Sequence, residues 1–447
     1  MAAPLILHGL SCKAADGVPN SSITTPSDSV RVLAIVDSIG AEYGTGEYSL
    51  GDIADIDISP THEVLVLDRI GCCIKVYSAD GGFIRRIGRH GSGPGEMLAP
   101  VFMEVLGDGS ICVRDESGWL TLSADGAYLG LVQTGTSSPM QMVSVGSSDL
   151  VGIRSELLPQ NGQFIVSKSV ARWPGSDPDT ITATYFNQEF ELDPEDIATD
   201  LVRADLFPML FTAGNGLVFV APDPQERAEI LVFYPDGSPH DTLRLEYPVV
   251  PKSEAEIIEE RAYIESFFQR TTQTLQVEWE PLPDRPMIGS LGIDSLGNLW
   301  VQRGTELSPT FDVIDGSGAI LYSAVLPDRE DAADWRFEIS PQGILAVPQD
   351  PGLYPVVSAR AEIARAALRC LTVDCQPGLY ILIVRKENGG PTGKRSPPGT
   401  IGRASYARTK SRRLCVCFAN FIKPVSQMGR NWRAWSFLDG TLLCYSS

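Results

Sequence analysis

Residues 53–87 read IADIDISPTHEVLVLDRIGCCIKVYSADGGFIRRI. Apolar and polar residues alternate in four short runs, and turn-forming residues such as Asp80-Gly81 separate these runs. Alternation with a period of two is typical of half-buried β-strands, and an Asp-Gly pair between two such runs indicates a hairpin. The segment therefore predicts a four-stranded antiparallel meander.

The same arrangement recurs along the chain. A second copy occupies residues 101–132, and three further copies have second strands at 150–154, 217–223 and 299–303. A sixth copy starts at Trp335 and includes strands at 344–347 and 353–357, but it lacks a fourth strand. Residues 30–36 form an apolar run without a unit of their own, so they can supply that strand. Units of about 40 residues with four strands each predict an all-β, six-bladed β-propeller over residues 30–360, closed by the N-terminal strand.

Two insertions interrupt the repeat, at residues 187–208 and 252–286. The second contains Ser253 and Glu256 at the spacing of a capping box. Helical spacing of the apolar residues that follow predicts a helix over 253–270. We expect its apolar face to pack on the propeller, with binding of a partner as the alternative. That face is formed by Ile257, Ile258, Ile264, Phe267 and Phe268.

The two ends of the chain differ from the body. Residues 1–29 are expected to be a leader or linker, and Leu10-Ser11-Cys12 resembles the site at which bacterial lipoproteins are cleaved and acylated on cysteine. An incidental cysteine in a short leader is the alternative, because no basic residue precedes Cys12. Residues 361–447 are basic, rich in cysteine and without a clear period. They are expected to be an irregular tail, either a frameshifted end or an appended segment that contacts anionic surfaces.

The distribution of charge argues against a nucleic-acid partner. The chain has a net charge of −20, but residues 361–447 contain 14 basic and 4 acidic residues. Residues 1–360 therefore contain 22 basic and 52 acidic residues, a net charge of −30, which repels a phosphate backbone. No apolar run approaches the length of a membrane-spanning helix. We expect membrane attachment only through a lipid on Cys12, and otherwise a cytoplasmic protein.

Two segments resemble NHL-type six-bladed β-propellers, which include exported bacterial proteins. They are Gly91-Ser-Gly-Pro-Gly-Glu96 with its surroundings in residues 50–132, and Asp294-Ser-Leu-Gly-Asn-Leu-Trp-Val301 within residues 287–327. The resemblance implies a ligand site at the central channel or at the loops of one face. The glycines at 91, 93 and 95 are predicted to form a crossover loop between blades that needs unusual backbone angles.

Charged residues recur where the second strand of each unit ends, and they are the candidate ligand-binding rim. Ordinary surface chemistry at strand ends is the alternative for each of them. Because residues at equivalent positions of a ring lie around one end of its channel, we expect mixed charges at the channel mouth. We expect these charges to be exposed, so that alanine at Arg154 and Arg303 leaves folding intact. The rim consists of Asp68, Arg69, Asp115, Glu116, Arg154, Asp223, Arg303 and Asp350.

No catalytic signature stands out in the sequence. The four histidines do not share a position in the repeat, so a histidine-ligated zinc site is not expected. Calcium bound by Asp68, Asp115 and Asp223 remains an alternative, because carboxylates from separate loops suit this ion. We therefore expect a monomeric, exported binding or scaffold module of the periplasm or cell envelope, without a cofactor, that holds a protein, peptide or glycan. A calcium-dependent propeller hydrolase or lyase is the alternative.

Overall fold

The chain is described here by a computed structural model. It covers residues 20–23, 29–40, 46–133, 138–160, 163–193, 200, 204, 208–271, 281–327, 335–348, 356–362, 432–438 and 441–446. The covered residues are mostly β-strands, as the alternating pattern predicts. Two leading strands, β1 (Asn20–Ile23) and β2 (Val30–Ile39), precede the repeating part.

Three four-stranded antiparallel sheets follow in chain order. The first contains β3 (Ile53–Ile58), β4 (Val64–Asp68), β5 (Cys73–Tyr77) and β6 (Phe83–Ile87). The second contains β7 (Phe102–Val105), β8 (Ile111–Asp115), β9 (Gly118–Leu122) and β10 (Tyr128–Val132). The third contains β11 (Ser138–Val145), β12 (Asp149–Gln160), β13 (Gln163–Pro174) and β14 (Ala183–Glu191).

The fourth sheet has an additional strand, and the last two units share a sheet. The fourth consists of β15 (Leu210–Gly214), β16 (Leu217–Ala221), β17 (Glu229–Phe233) and β18 (Pro239–Leu245), and β1 pairs with β18 in parallel. Helix α1 (Glu254–Thr271) comes next. The shared sheet contains β2 together with β19 (Ile288–Ile293), β20 (Leu299–Arg303), β21 (Thr310–Ile314), β22 (Ile320–Val325), β23 (Trp335–Ser340), β24 (Gly343–Pro348) and β25 (Val356–Glu362).

The prediction of six separate blades is wrong, because the propeller part of the described chain forms five sheets. The cause is β2, which forms hydrogen bonds along both of its edges. Its first residues pair in parallel with β22, and its remainder pairs antiparallel with β25. These two pairings join the last eight strands into one sheet. The predicted closure by the N-terminal strand is confirmed, although β2 and β25 extend beyond the predicted segments.

The first strands of successive units lie side by side around a ring. β3 contacts β7, β7 contacts β11, β11 contacts β15, β15 contacts β19, β19 contacts β23, and β23 contacts β3. The eight-stranded sheet therefore contributes both of its end strands to the ring. A cyclic array of antiparallel sheets with its first strands innermost is a β-propeller, and this closure protects the inner sheet edges.

The hydrophobic core lies between neighbouring sheets. Between the first two, Leu65, Leu67 and Ile74 pack in one buried cluster with Met103 and Val113. All five of these side chains are almost completely excluded from solvent. Each pair of neighbouring sheets thus buries a layer of its own, and the fold depends on many small interfaces rather than on one centre.

The Asp-Gly turns are confirmed, but with a different geometry. In the turn after β5, the Ser78 amide donates to the Gly82 carbonyl at 2.8 Å, and Gly81 has a φ of 81°. The turn after β9 repeats this arrangement with Gly126 at a φ of 89°. Asp80 and Asp125 do not have positive φ, so these are not the two-residue turns that the Asp-Gly pairs suggested.

The crossover loop between β6 and β7 contains the predicted glycine conformations. Gly91 and Gly95 have φ values of 154° and 77°, in the region that other residues rarely adopt. Gly93 is not in that region, but its amide donates to Glu96 Oε2 at 2.8 Å. Glu96 also forms an ion pair with Arg89, at 2.6 Å. Contacts within the loop therefore stabilise its conformation before the chain enters the second sheet.

The predicted helix is confirmed with a shift of one residue. The Ser253 amide donates to Glu256 Oε2 at 2.8 Å, and the Glu256 amide donates to Ser253 Oγ at 3.3 Å, which is the capping box. Arg285 also forms an ion pair with Glu256, at 2.7 Å. Ile258 is exposed, which does not fit the expected packing of this face. The side chains of the other predicted contacts from Ile264 onward lie outside the described residues.

Three boundaries differ from the sequence prediction. The strands of the third unit are longer than predicted, because β12 and β13 pair over twelve residues each. The first insertion begins later than residue 187, since β14 continues to Glu191. The tail is not wholly irregular, because β26 (Trp432–Leu438) and β27 (Thr441–Ser446) form a hairpin.

Removal of residues 366–447 is expected to leave the propeller folded. The strands of the tail pair with each other and with no other described strand, whereas β2 and β25 close the ring upstream of the deletion. We expect the unfolding temperature of the shortened protein to stay within about 3 °C of that of the full chain, as measured by circular dichroism. A loss of soluble expression, or a fall of many degrees, would contradict this prediction.

Candidate functional site

Asp68 and Asp115 lie where the sequence places them, at strand ends, but their side chains point into the protein. The Asp68 carboxylate accepts the amides of Gly51 and Gly71, at 3.2 and 2.8 Å, and pairs with Lys75 Nζ at 3.2 Å. Gly51 belongs to the segment that leads into β3. Asp68 therefore ties the end of β4 to the entry of its own sheet, and its oxygens are occupied by the protein.

Asp115 has the same role in the second sheet. It is fully buried, and its carboxylate accepts the amides of Leu98 and Ala99 from the crossover loop and that of Ser117 from the following turn, at 2.8 to 3.0 Å. A buried carboxylate that receives several amides stabilises the loop that donates them. A ligand-binding role for Asp68 and Asp115 stays a prediction.

The two rim arginines are not the exposed charges that the sequence suggested. Arg154 is only 4% exposed, donates to the Pro178 carbonyl and lies 3.6 Å from Glu156. Arg303 forms two hydrogen bonds with the fully buried Asp312, at 2.9 and 2.7 Å. Both guanidinium groups hold neighbouring segments together, so alanine at these positions is not expected to leave stability unchanged.

The remaining rim residues are more accessible. Glu116 is exposed, and Arg69 lies 3.7 Å from Asp52 at the surface. Asp223 accepts the Glu226 amide at 3.2 Å and lies 3.8 Å from Arg227. Asp350 and Cys12 lie outside the described residues. Of the predicted rim, Arg69, Glu116 and Asp223 thus retain surface that a ligand can reach.

A group of acidic residues that was not predicted from the sequence lies on the innermost strands. Asp55 and Asp57 lie on β3, Glu104 on β7 and Glu338 on β23. Because these three strands are neighbours in the ring, the four carboxyl groups come together beside the central channel. We call them the channel acids. Arg336, also on β23, donates to Asp55 Oδ1 at 3.1 Å and contributes a positive charge to the group.

Three of the channel acids join neighbouring inner strands. Asp55 accepts the Met103 amide at 2.9 Å, and Asp57 accepts the Val105 amide at 2.6 Å, so both connect β3 to β7. Glu104 accepts the Ser144 amide and connects β7 to β11 in the same way. Side chains therefore supply, between sheets, the hydrogen bonds that backbone pairing supplies within a sheet.

Glu338 does not make the equivalent bond. Glu338 faces β3. In β7, the amide with this role is that of Val105, the residue directly before the turn that starts at Leu106. The equivalent residue of β3 is Ile58, directly before the turn that starts at Ser59. The Ile58 amide already donates to Asp57 Oδ1 at 2.6 Å. Among the described residues, no hydrogen bond or ion pair joins the Glu338 carboxyl to the protein. The residue also keeps partial contact with solvent.

Burial and mutual repulsion raise the pKa values of this group. Desolvation is the main cause of the raised pKa of Asp57, to about 7, and of Glu338, to about 8. The charges of Asp57 and Asp55 add to the effect on Glu338, whereas Arg336 opposes it. Burial and the neighbouring acids also hold the pKa of Glu104 well above its ordinary value. At neutral pH the Glu338 carboxyl therefore carries a proton and can donate a hydrogen bond.

The described residues contain no group of three or more His, Cys, Asp or Glu side chains arranged to hold a metal ion. Asp68 and Asp115, the alternative calcium ligands of the sequence analysis, receive amide hydrogen bonds on their oxygens. Within the described part of the chain, no helix is long and apolar enough to cross a bilayer.

A signal for the channel acids was present in the sequence. Asp57 and Glu104 occupy the same position of the first strand in consecutive units, two residues before the turn. An acidic residue on an otherwise apolar, innermost strand is unusual, because burial of a charge is costly without partners. The recurrence of charged residues at the ends of second strands does not align these first-strand positions.

Comparisons with solved structures show similarity to other propellers at low identity. A candidate exported protein of Bacteroides fragilis is 14% identical with a TM-score of 0.41, over 73% of this chain and 87% of that one. A gluconolactonase of Xanthomonas campestris is 14% identical with a TM-score of 0.35, over 73% and 95%. Virginiamycin B lyase of Staphylococcus aureus is 12% identical with a TM-score of 0.33, over 67% and 93%.

No protein-family model matches the chain, and no curated protein matches it. The ring of sheets shows the β-propeller fold, whereas the predicted membership of the NHL type is not confirmed.

Proposed function

We propose that this protein is a propeller binding module that takes a polar, uncharged ligand into the mouth of its channel. The observation that supports the proposal is the Glu338 carboxyl, which belongs to a partly exposed residue of the innermost strands and lacks a hydrogen-bond partner among the described residues. A protonated carboxyl offers one donor and one acceptor, which suits the hydroxyl groups of a glycan or the backbone of a peptide. We therefore propose that the protein, peptide or glycan ligand expected from the sequence contacts Glu338 through uncharged polar groups.

The accessible rim residues stand at the other end of the inner strands from Glu338, because Asp68 pairs with Ile53 at the start of β3, whereas Asp57 pairs with Leu65 near its end. Arg69 and Glu116 carry opposite charges, which act on a ligand only at short range because salt screens them beyond about 8 to 10 Å. We infer that they form a second, charged contact surface at that mouth of the channel, separate from the Glu338 carboxyl. Export to the periplasm or cell envelope, with a lipid on Cys12, fits such a role and is part of the proposal.

The test is a binding measurement on variants of Glu338. Isothermal titration with neutral oligosaccharides, for example chitotetraose and cellotetraose, and with a neutral tetrapeptide provides the probes. We expect at least one probe to bind, Glu338→Ala to weaken it about tenfold, and Glu338→Gln, which keeps a donor and an acceptor, to retain most of the affinity. The matched control is Ser340→Ala on the same strand. The proposal fails if no probe binds, or if Glu338→Ala binds as tightly as the parent protein.

A calcium-dependent hydrolase or lyase is the competing function. It is favoured by the same raised pKa, because a carboxyl that holds its proton at neutral pH is suited to general acid catalysis. Metal analysis of the purified protein separates the two functions. Stoichiometric calcium that survives dialysis would support the enzyme, whereas its absence together with probe binding would support the binding module.

A further inference from the structure

The outer strands of the sheets differ in how their free edges are protected. The edge of β18 is covered by β1, and that of β22 by β2, in both cases in parallel. The edge of β6 carries Arg85 and Arg86, and that of β14 carries Glu189 and Glu191. A covering strand or a charged residue is the usual protection against pairing with another chain.

The outer strand of the second sheet has neither protection. β10 reads Tyr-Leu-Gly-Leu-Val, without a charged residue, and no described strand pairs with its outer edge. Its side chains are unusually exposed for their type, with Tyr128 at 43%, Leu129 at 59% and Leu131 at 37%. An uncharged, apolar strand with a free edge is a template for an added strand.

Acidic residues lie near both ends of β10. Asp125 is exposed in the turn that leads into the strand. At the other end, Gln133 Nε2 donates to the Ser117 carbonyl at 2.9 Å, which places the exposed Glu116 close by. Arg85, which donates to the Ala124 carbonyl beside Asp125 at 2.9 Å, is also paired with Glu63 at 2.7 Å. The strand is therefore apolar along its length and has an exposed acidic residue near each end.

We propose that the outer edge of β10 binds an extended segment of a partner polypeptide, added as a parallel strand. The segment is uncharged over the residues that pair with β10 and basic on both sides. The apolar edge selects the uncharged centre, the acidic ends select the basic flanks, and β1 and β2 show that outer edges of this propeller accept parallel strands. This surface lies on the outside of the ring, so the proposal does not depend on a ligand in the channel.

The test uses the synthetic peptide Lys-Lys-Val-Thr-Val-Thr-Val-Lys-Lys with a fluorescent label, titrated with the full chain. A second peptide, with proline in place of both threonines, has the same charge but cannot form a strand pair. We expect the first peptide to bind at least about tenfold more tightly than the second. Hydrogen exchange of residues 128–132 should slow when the first peptide is bound.

Variants of the protein separate strand pairing from charge attraction. Leu129→Asp with Leu131→Asp adds negative charge, so a purely electrostatic contact would strengthen, whereas strand addition should weaken about tenfold. Ile84→Asp on β6 is the matched control and should change the affinity less than about twofold. Equal binding of the two peptides, or tighter binding by the β10 variant, would overturn the proposal. Self-association of the chain that the β10 variant abolishes would also overturn it, in favour of a second copy as the occupant.

Discussion

Replacement of Arg303 by alanine is expected to lower the free energy of unfolding by about 3 to 5 kcal/mol. Asp312 is fully buried on β21, and its carboxylate depends on Arg303 for two charged hydrogen bonds. The Tyr247 and Ser323 hydroxyls also donate to it, both at 2.8 Å, but neither neutralises its charge. Alanine at 303 leaves this charge buried and unpaired, which costs far more than the loss of a surface ion pair.

Urea unfolding of Arg303→Ala, of a control variant and of a double variant measures this effect. Arg227→Ala is the matched control, because Arg227 is exposed and lies 3.8 Å from its acidic partner, Asp223; we expect about 0 to 1 kcal/mol there. Arg303→Met combined with Asp312→Leu should recover much of the lost stability, since it removes both charges. If Arg303→Ala costs no more than Arg227→Ala, the network around Asp312 does not hold the fifth unit together.

Acidification from pH 8 to pH 5 is expected to raise the unfolding temperature by about 5 to 10 °C. The cause is the channel acids, whose pKa values are raised in the folded protein, to about 7 for Asp57 and about 8 for Glu338. At a pH between the ordinary pKa of a carboxyl in the unfolded chain and these raised values, the folded protein binds more protons than the unfolded chain. Stability contributed by these protons is complete below about pH 4 and declines as the pH rises towards 8.

Differential scanning calorimetry at pH 5, 6, 7 and 8 checks this prediction. Glu338→Gln should flatten the dependence, because glutamine has no proton to lose, and it should raise stability at pH 8. Glu116→Gln removes the same charge at the surface and should leave the dependence almost unchanged. Acids with lowered pKa, such as Glu256 at about 2, lose their contribution only below this range. A stability that rises with pH, or an unchanged slope in Glu338→Gln, would contradict the role of the channel acids.

The repeated hydrophobic pattern was sufficient to predict the propeller. Strands such as β4, β5 and β8 match the predicted segments because alternation and turn residues are local signals, and local signals fix local structure. The capping box predicted the start of α1 for the same reason. The number of separate sheets was not predictable, because it depends on the pairing of a single strand, β2. Its first residues pair with β22 and its remainder pairs with β25. That choice is made by residues distant in sequence.

The candidate sites show the same division between local and tertiary information. The sequence by itself determined that Asp68, Asp115 and Arg303 stand at strand ends, since their position in the repeat is a local property. Only the tertiary structure decided that their side chains turn inward to amides and to Asp312, and that Asp57, Glu104 and Glu338 meet beside the channel. Hydrogen-bond partners and raised pKa values arise from groups brought together by the closure of the ring, so no single unit of the sequence contains them.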